Sequence, residues 1–181
     1  MWYVIQTLGG QEERTADMIR KTVVPDLIEE CFVPKRERLK KFRGSWNKVE
    51  EVLFYGYAFV ISDRPEELYE ELKRIPKLTK VLGREEGYFF ALGEKEKELV
   101  EAIGNHEHRT CVSRITIGEG KKIKVIDGPL TGYGGNIVKV NLHKREAIVR
   151  VGFMGRNMEL KMGISMINID EKRGSELLWE N

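Results

Sequence analysis

Cysteine is scarce in this chain, with two residues, Cys31 and Cys111, among 181. They lie far apart and form no C-x-x-C pair, so a disulfide framework is excluded and both are expected as reduced thiols. Histidine is nearly as rare, at three residues. His106 and His108 sit near Cys111, but no second pair completes a tetrahedral set, so no metal site is expected. No apolar run approaches the roughly 18 residues that a membrane span needs, which excludes a membrane partner of that kind. The N-terminal MWYVIQT lacks the basic start and long apolar stretch of a secretory signal, and the expected location is cytoplasmic. Nothing marks a nucleophile with its base, and the many glutamates fall on helix faces where solvated charge is the default. Neither an enzyme nor a cofactor is expected.

Charge is what the chain has in abundance, at 33% of residues. The net value of +2 conceals how it is distributed. Lys35, Arg36, Arg38, Lys40, Lys41, Arg43 and Lys48 face one acid, Glu37, inside one short stretch. Lysine on an edge strand also blocks unwanted sheet pairing. Seven cations against one acid exceed that need. Phe42 and Trp46 are interleaved among them and offer stacking surfaces beside phosphate contacts. The pattern points to nucleic acid, with Lys35, Arg36, Arg38, Lys40, Lys41, Arg43, Trp46 and Lys48 as its candidate contacts.

In chain order, Trp2 to Thr7 reads as a strand and Gly9-Gly10 as a break. Gln11 to Thr22 reads as a helix, with Glu12 and Glu13 at the positive end of its dipole. Pro25 stops it. Glu30 to Val33 is a short strand. Lys35 to Phe42 and Lys48 to Phe54 suit a hairpin with Arg43-Gly44-Ser45 at its tip, and Ala58 to Ile61 is a buried strand. Asp63 caps a helix that begins near Pro65. Short strands are expected at Val81-Leu82-Gly83 and Tyr88 to Leu92, then a helix from Glu94 to Ile103. This order predicts helices packed on a mostly antiparallel sheet.

Beyond Ile103 the texture changes. Residues 105–119 are expected as a linker and about 120–170 as a small all-β domain. Ala147, Val149, Val151 and Phe153 alternate, as do Leu160 and Met162, which gives strands with one core face. Gly155-Arg156-Asn157 reads as their turn. The glycine-rich stretch around Gly134-Gly135 joins two strands and leads into no helix, so it is a turn needing positive φ and not a phosphate cradle. A five-strand barrel fits this length. Residues 171–181 form a charged tail. In Phe54-Tyr55-Gly56-Tyr57 successive side chains of a strand would alternate faces, so some aromatics must be exposed, grouped with Trp2 as a protein-docking patch.

Several of these segments together resemble the NusG-like transcription elongation factors. Trp2-Tyr3-Val4 is similar to the family's opening strand, LFYGYAFV (Leu53 to Val60) to its F-F-P-G-Y-V-x-V segment, and RIPKLTKVLG (Arg74 to Gly83) to its V-P-x-V region. GEGKKIKVIDGPLTGYGGNIVKVN followed by VGFMGRNMELKM resembles its KOW domain. The resemblance implies an α+β fold: a NusG-type N-terminal domain over 1–104, a linker, and a KOW β-barrel over 120–170. It implies docking on the coiled coil of the RNA polymerase clamp through Trp2, Phe54, Tyr55 and Tyr57, and a ribosomal or termination-factor partner for the KOW barrel. Tyr55 stands where the family has proline and Leu130 where it has phenylalanine. With the basic hairpin, these departures most resemble the specialised LoaP-type antiterminators, which recognise an RNA hairpin in a nascent leader. The expected protein is a monomeric antitermination factor. A general elongation factor without RNA recognition and a KOW-containing ribosome-associated protein are the alternatives.

Overall fold

The computed structural model describes residues 1–75, 89–118, 123–169 and 176–177. The chain folds as two compact units, Met1–Pro34 with Phe54–Val100 and Lys35–Leu53 with Glu101–Asn181. The fold is α+β, as the element order predicts.

In the first unit, strands β1 (Trp2–Gln6), β2 (Glu30–Phe32), β5 (Tyr57–Ile61) and β6 (Phe89–Ala91) form an antiparallel sheet in the order β2-β5-β1-β6. The central strands are apolar on both faces. Val4 and Ile5 of β1 and Ala58, Phe59 and Val60 of β5 are all buried, as continuous β-branched and aromatic runs require. Helix α1 (Glu12–Thr22) sets Ala16 and Ile19 into this core and packs on β5. Helix α2 (Pro65–Lys73) buries Leu68 and Leu72. Its cap differs from expectation. Pro65 opens the helix and keeps the residue before it out of the helical region, so Arg64 occupies the cap position and no side chain caps the helix. Asp63 therefore stands one residue too early, and the Ser62 hydroxyl accepts the Arg64 N–H instead, at 3.1 Å. The strand expected at Val81-Leu82-Gly83 and the Arg74–Gly83 motif beyond Ile75 lie outside the described residues. The boundary between units falls within α3 (Glu94–Ile103).

The second unit is built on a hairpin and a five-stranded sheet. β3 (Lys35–Phe42) pairs with β4 (Ser45–Val52) across a two-residue turn at Arg43 and Gly44, both at positive φ. Such a turn matches the twist of the strands, so β4 begins at Ser45 and not at Lys48. Strand β7 (Arg109–Thr110) runs parallel to β3. β8 (Ser113–Ile117), β9 (Ile123–Asp127), β10 (Ile137–Asn141), β11 (Glu146–Phe153) and β12 (Arg156–Met166) form a half-barrel sheet in the order β10-β11-β12-β8-β9. Its pairs are antiparallel except β8 with β12. Ala147, Val149, Val151, Phe153, Leu160 and Met162 are all buried, as their alternation predicts.

Three expectations for this half are corrected. The segment 105–119 is not a plain linker, because β7 and β8 lie within it and their backbone groups complete two sheets. Gly134 and Gly135 do not carry the positive φ, since a short 3-10 turn spans Gly134–Asn136; Gly128 and Gly132 carry it instead. The β11–β12 turn is Met154-Gly155, both at positive φ, and Arg156 already belongs to β12.

Candidate docking and nucleic-acid interfaces

The first candidate surface lies at one end of the first unit, where the loop after β1 meets the loop before β5. Phe54-Tyr55-Gly56 is a turn and not a strand: the Tyr57 N–H donates to the Phe54 carbonyl, and Gly56 takes a φ of +86°. Strand alternation therefore does not apply there. Phe54 is fully buried, its ring 5.3 Å from Phe59 in an edge contact, and Tyr57 is also buried. Trp2 is half-buried, edge-on to Phe32 at 5.3 Å. Of the four aromatics expected at a docking patch, only Tyr55 stands out, at 70% exposed. Leu8 stands out beside it in the other loop, at 71%.

Two groups hold these loops together. Thr7 N–H donates to the Gly56 carbonyl at 2.8 Å. The Glu12 carboxylate, 2% exposed, accepts the N–H groups of Gly10 at 2.9 Å and Gly56 at 2.7 Å. Gly9 provides room, since a Cβ there would fall on the Tyr55 ring. Neither Glu12 nor Leu8 is picked out by the sequence. Glu12 reads as a dipole residue, and the only signal of a close approach is the Gly9-Gly10 pair.

The second candidate surface is the β3–β4 hairpin. Its charges are far from equally available. Arg36 is buried and pairs with Glu51 at 2.6 Å and Glu146 at 2.9 Å. Arg38 pairs with Glu51 at 3.0 Å, Lys40 with the same carboxylate at 3.4 Å, and Lys48 with Glu37 at 3.3 Å. The expectation that Arg36 contacts RNA is therefore corrected: burying its guanidinium required two carboxylates, and both are already in place. Burial raises the Glu51 carboxyl, but Arg36, Arg38 and Lys40 outweigh it and hold that group below its ordinary value. Lys35 is half-buried, its N–H bonded to the His108 carbonyl. Trp46 is half-buried beneath the Arg145 guanidinium, 5.0 Å from the ring centre. Lys41 and Arg43 remain, exposed at the tip with Phe42, and Arg43 lies over the Phe42 ring at 5.2 Å.

The sheet of this unit carries a third feature, an open groove of about 650 Å³ between β9 and β10, bordered by Ile123, Val125, Leu130, Ile137 and Val138. Among the described residues no cluster of three potential metal ligands occurs, and no helix is long and apolar enough to cross a membrane.

A family model described as "Transcription termination factor nusG" matches residues 1–104, more than half of the chain. The chain belongs to the NusG family. It is 26% identical over 174 residues to the transcription termination/antitermination protein NusG of Buchnera aphidicola subsp. Acyrthosiphon pisum, covering 92% of this chain and 94% of the relative. The Thermus thermophilus NusG is 23% identical, with 92% and 96% covered. The Escherichia coli K12 NusG is 25% identical, with 92% and 94% covered. The solved structure titled "Domain interaction in Thermotoga maritima NusG" is similar in fold, with a TM-score of 0.51, 21% identity, and 90% of this chain and 92% of that one covered. In this NusG-family chain the family match spans both loops of the first surface and the whole β3–β4 hairpin. The low identity leaves room for both to differ from the relatives.

Proposed function

We propose that this protein is a transcription antitermination factor that docks on RNA polymerase and reads a structured nascent RNA. Family membership supports the first half of this reading. Docking uses the loops of the first unit, with Tyr55 and Leu8 as the contacting side chains. Phe54 and Tyr57, buried on either side of Tyr55 in the chain, anchor its turn, whereas Trp2 sits at the far end of β1 against Phe32. Exposed apolar side chains on a framework tied by partly buried hydrogen bonds suit a pre-organised contact with an apolar partner face. The groove between β9 and β10 is where a ribosomal or termination-factor partner of the barrel would sit.

The observation that carries the RNA half is the hairpin tip, where Lys41 and Arg43 project beside Phe42 with no acidic partner among the described residues. Lys40 and Lys48 are exposed and exchange a carboxylate for a phosphate at little cost, because exposed ion pairs are weak. A general elongation factor without RNA recognition is the second reading. The burial and pairing of Arg36 and Arg38 favour it, because they remove two cations from the face.

In vitro transcription through a terminator, with and without an upstream leader hairpin, separates the two. Read-through that depends on the hairpin supports the specialised factor. Equal read-through on both templates supports the general one. No effect on the polymerase on either template discards both.

A further inference from the structure

We propose that the nucleic-acid surface is composite, with the hairpin tip and one face of the five-stranded sheet acting together on the phosphates of a base-paired RNA stem. This rests on the RNA reading above. The hairpin by itself is a poor ligand, since Lys41 and Arg43 are its two exposed cations without an acidic partner among the described residues. Two phosphate contacts give weak binding with a shallow salt dependence, a slope of about two.

The structure fixes where further charge comes from. Glu146 of β11 and Gly163 of β12 are register partners, and the hairpin lies on both. Glu146 holds the buried Arg36, and a Cβ at Gly163 would strike the carbonyl oxygen of Glu37. Residues two apart on a strand share a face. The next row on that face is Lys139, Ile148 and Lys161, aligned across β10, β11 and β12. Lys139 and Lys161 are exposed with no acidic partner among the described residues. Lys144 and Arg145 sit in the β10–β11 turn, and Arg145 closes over Trp46 of the hairpin. The sheet thus adds cations on both sides of the row that seats the hairpin, Lys144 and Arg145 toward Trp46 and Lys139 and Lys161 beyond the Arg36–Glu146 pair.

The same contacts choose the form of RNA. Both aromatic rings of the hairpin already carry a guanidinium, Arg145 over Trp46 and Arg43 over Phe42. Trp46, half-buried under Arg145, is no open platform for an unpaired base, and Phe42 offers only the ring face that Arg43 leaves uncovered. Cations spread over three strands and a turn suit instead the backbone of a helical stem, which proteins recognise through phosphates and shape.

The test uses the full chain and a stem-loop RNA of mixed sequence, titrated at several salt concentrations, beside a single strand of equal length. Lys139→Ala with Lys161→Ala is expected to weaken stem binding about tenfold and to reduce the salt slope by roughly two, as is Lys41→Ala with Arg43→Ala. These side chains make no ion pair among the described residues, so folding is retained, and thermal unfolding checks that. Glu146→Gln separates position from charge. It removes a negative charge, so net charge alone would tighten binding, whereas loss of the Arg36 anchor is expected to weaken it. If the sheet variant binds like the parent while the tip variant does not, the composite surface is wrong and the RNA reading stands. Preference for the single strand overturns the stem assignment. If the unaltered chain binds neither RNA, both readings fall.

Discussion

The carboxylate of Glu12 accepts the backbone N–H of Gly56, 2.7 Å away and 44 positions along the chain. The same oxygen accepts Gly10 N–H, so one side chain at the start of α1 ties the loop that presents Leu8 to the loop that presents Tyr55. Glu12→Ala leaves both donors without that partner. The expected loss is about 1–2 kcal/mol of stability, since both bonds run to a charged acceptor but their donors are only partly buried. Glu12→Gln keeps a carbonyl oxygen and costs about 1 kcal/mol. Urea unfolding of the three proteins checks both; equal stability of Ala and parent would show that water replaces the carboxylate without loss.

Docking is predicted to be sensitive to Gly9. A Cβ there displaces the Tyr55 ring, whose exposed position lets it move aside, so Gly9→Ala changes stability by under about 1 kcal/mol. Binding to RNA polymerase is expected to fall roughly tenfold, as it does for Tyr55→Ala, if the ring is a hot spot. Native-gel or interferometric binding to purified polymerase reads this directly. Polymerase binding unchanged in both variants removes Tyr55 from the interface.

Gly128, in the Asp127-Gly128-Pro129 turn, is predicted to be irreplaceable. It takes a φ of +94°, and a Cβ would come within 2.7 Å of the Ser113 backbone. The Ser113 hydroxyl accepts the Leu130 N–H at 3.0 Å, so the turn and β8 cannot separate without breaking a buried bond. Gly128→Ala should cost about 2–3 kcal/mol, combining strain with close contact. Thermal unfolding measures it; a melting temperature within one degree or so of the parent would contradict the close approach.

Acid should loosen the second unit. The Glu51 carboxyl lies below its ordinary value in the fold: burial raises it, while Arg36, Arg38 and Lys40 outweigh that. Asp127 is likewise lowered, chiefly by its hydrogen bond from Arg114. For a lowered carboxylate the unfolded chain takes up the proton first, so the stability is present above the unfolded pKa and is lost as pH falls through the folded one. The loss is expected below about pH 4.5 for Glu51. Glu51→Gln should be less stable than the parent at neutral pH and should show a shallower decline in acid. A variant whose melting temperature follows the parent's at every pH would show that Glu51 is not the titrating group.

Much of the fold was legible because it depends on local rules. The span of α3 and the buried faces of β11 and β12 follow from apolar periodicity, and the central place of β5 from its unbroken apolar run; both signals survive in any tertiary setting. The helix cap failed by one residue because Pro65 constrains its neighbour more strongly than Asp63 attracts N–H groups. The Phe54–Tyr57 segment failed because strand alternation was applied to a turn, where Gly56 at positive φ lets Phe54 and Tyr57 both turn inward while Tyr55 faces out.

By itself, then, the sequence determined the α+β class, the NusG family and a concentration of positive charge between Lys35 and Lys48. The tertiary structure decided which of those charges remain available. Composition counts a cation whether or not a carboxylate waits for it elsewhere in the chain. Glu146 lies 110 positions beyond Arg36, and only folding brings the two within 2.9 Å.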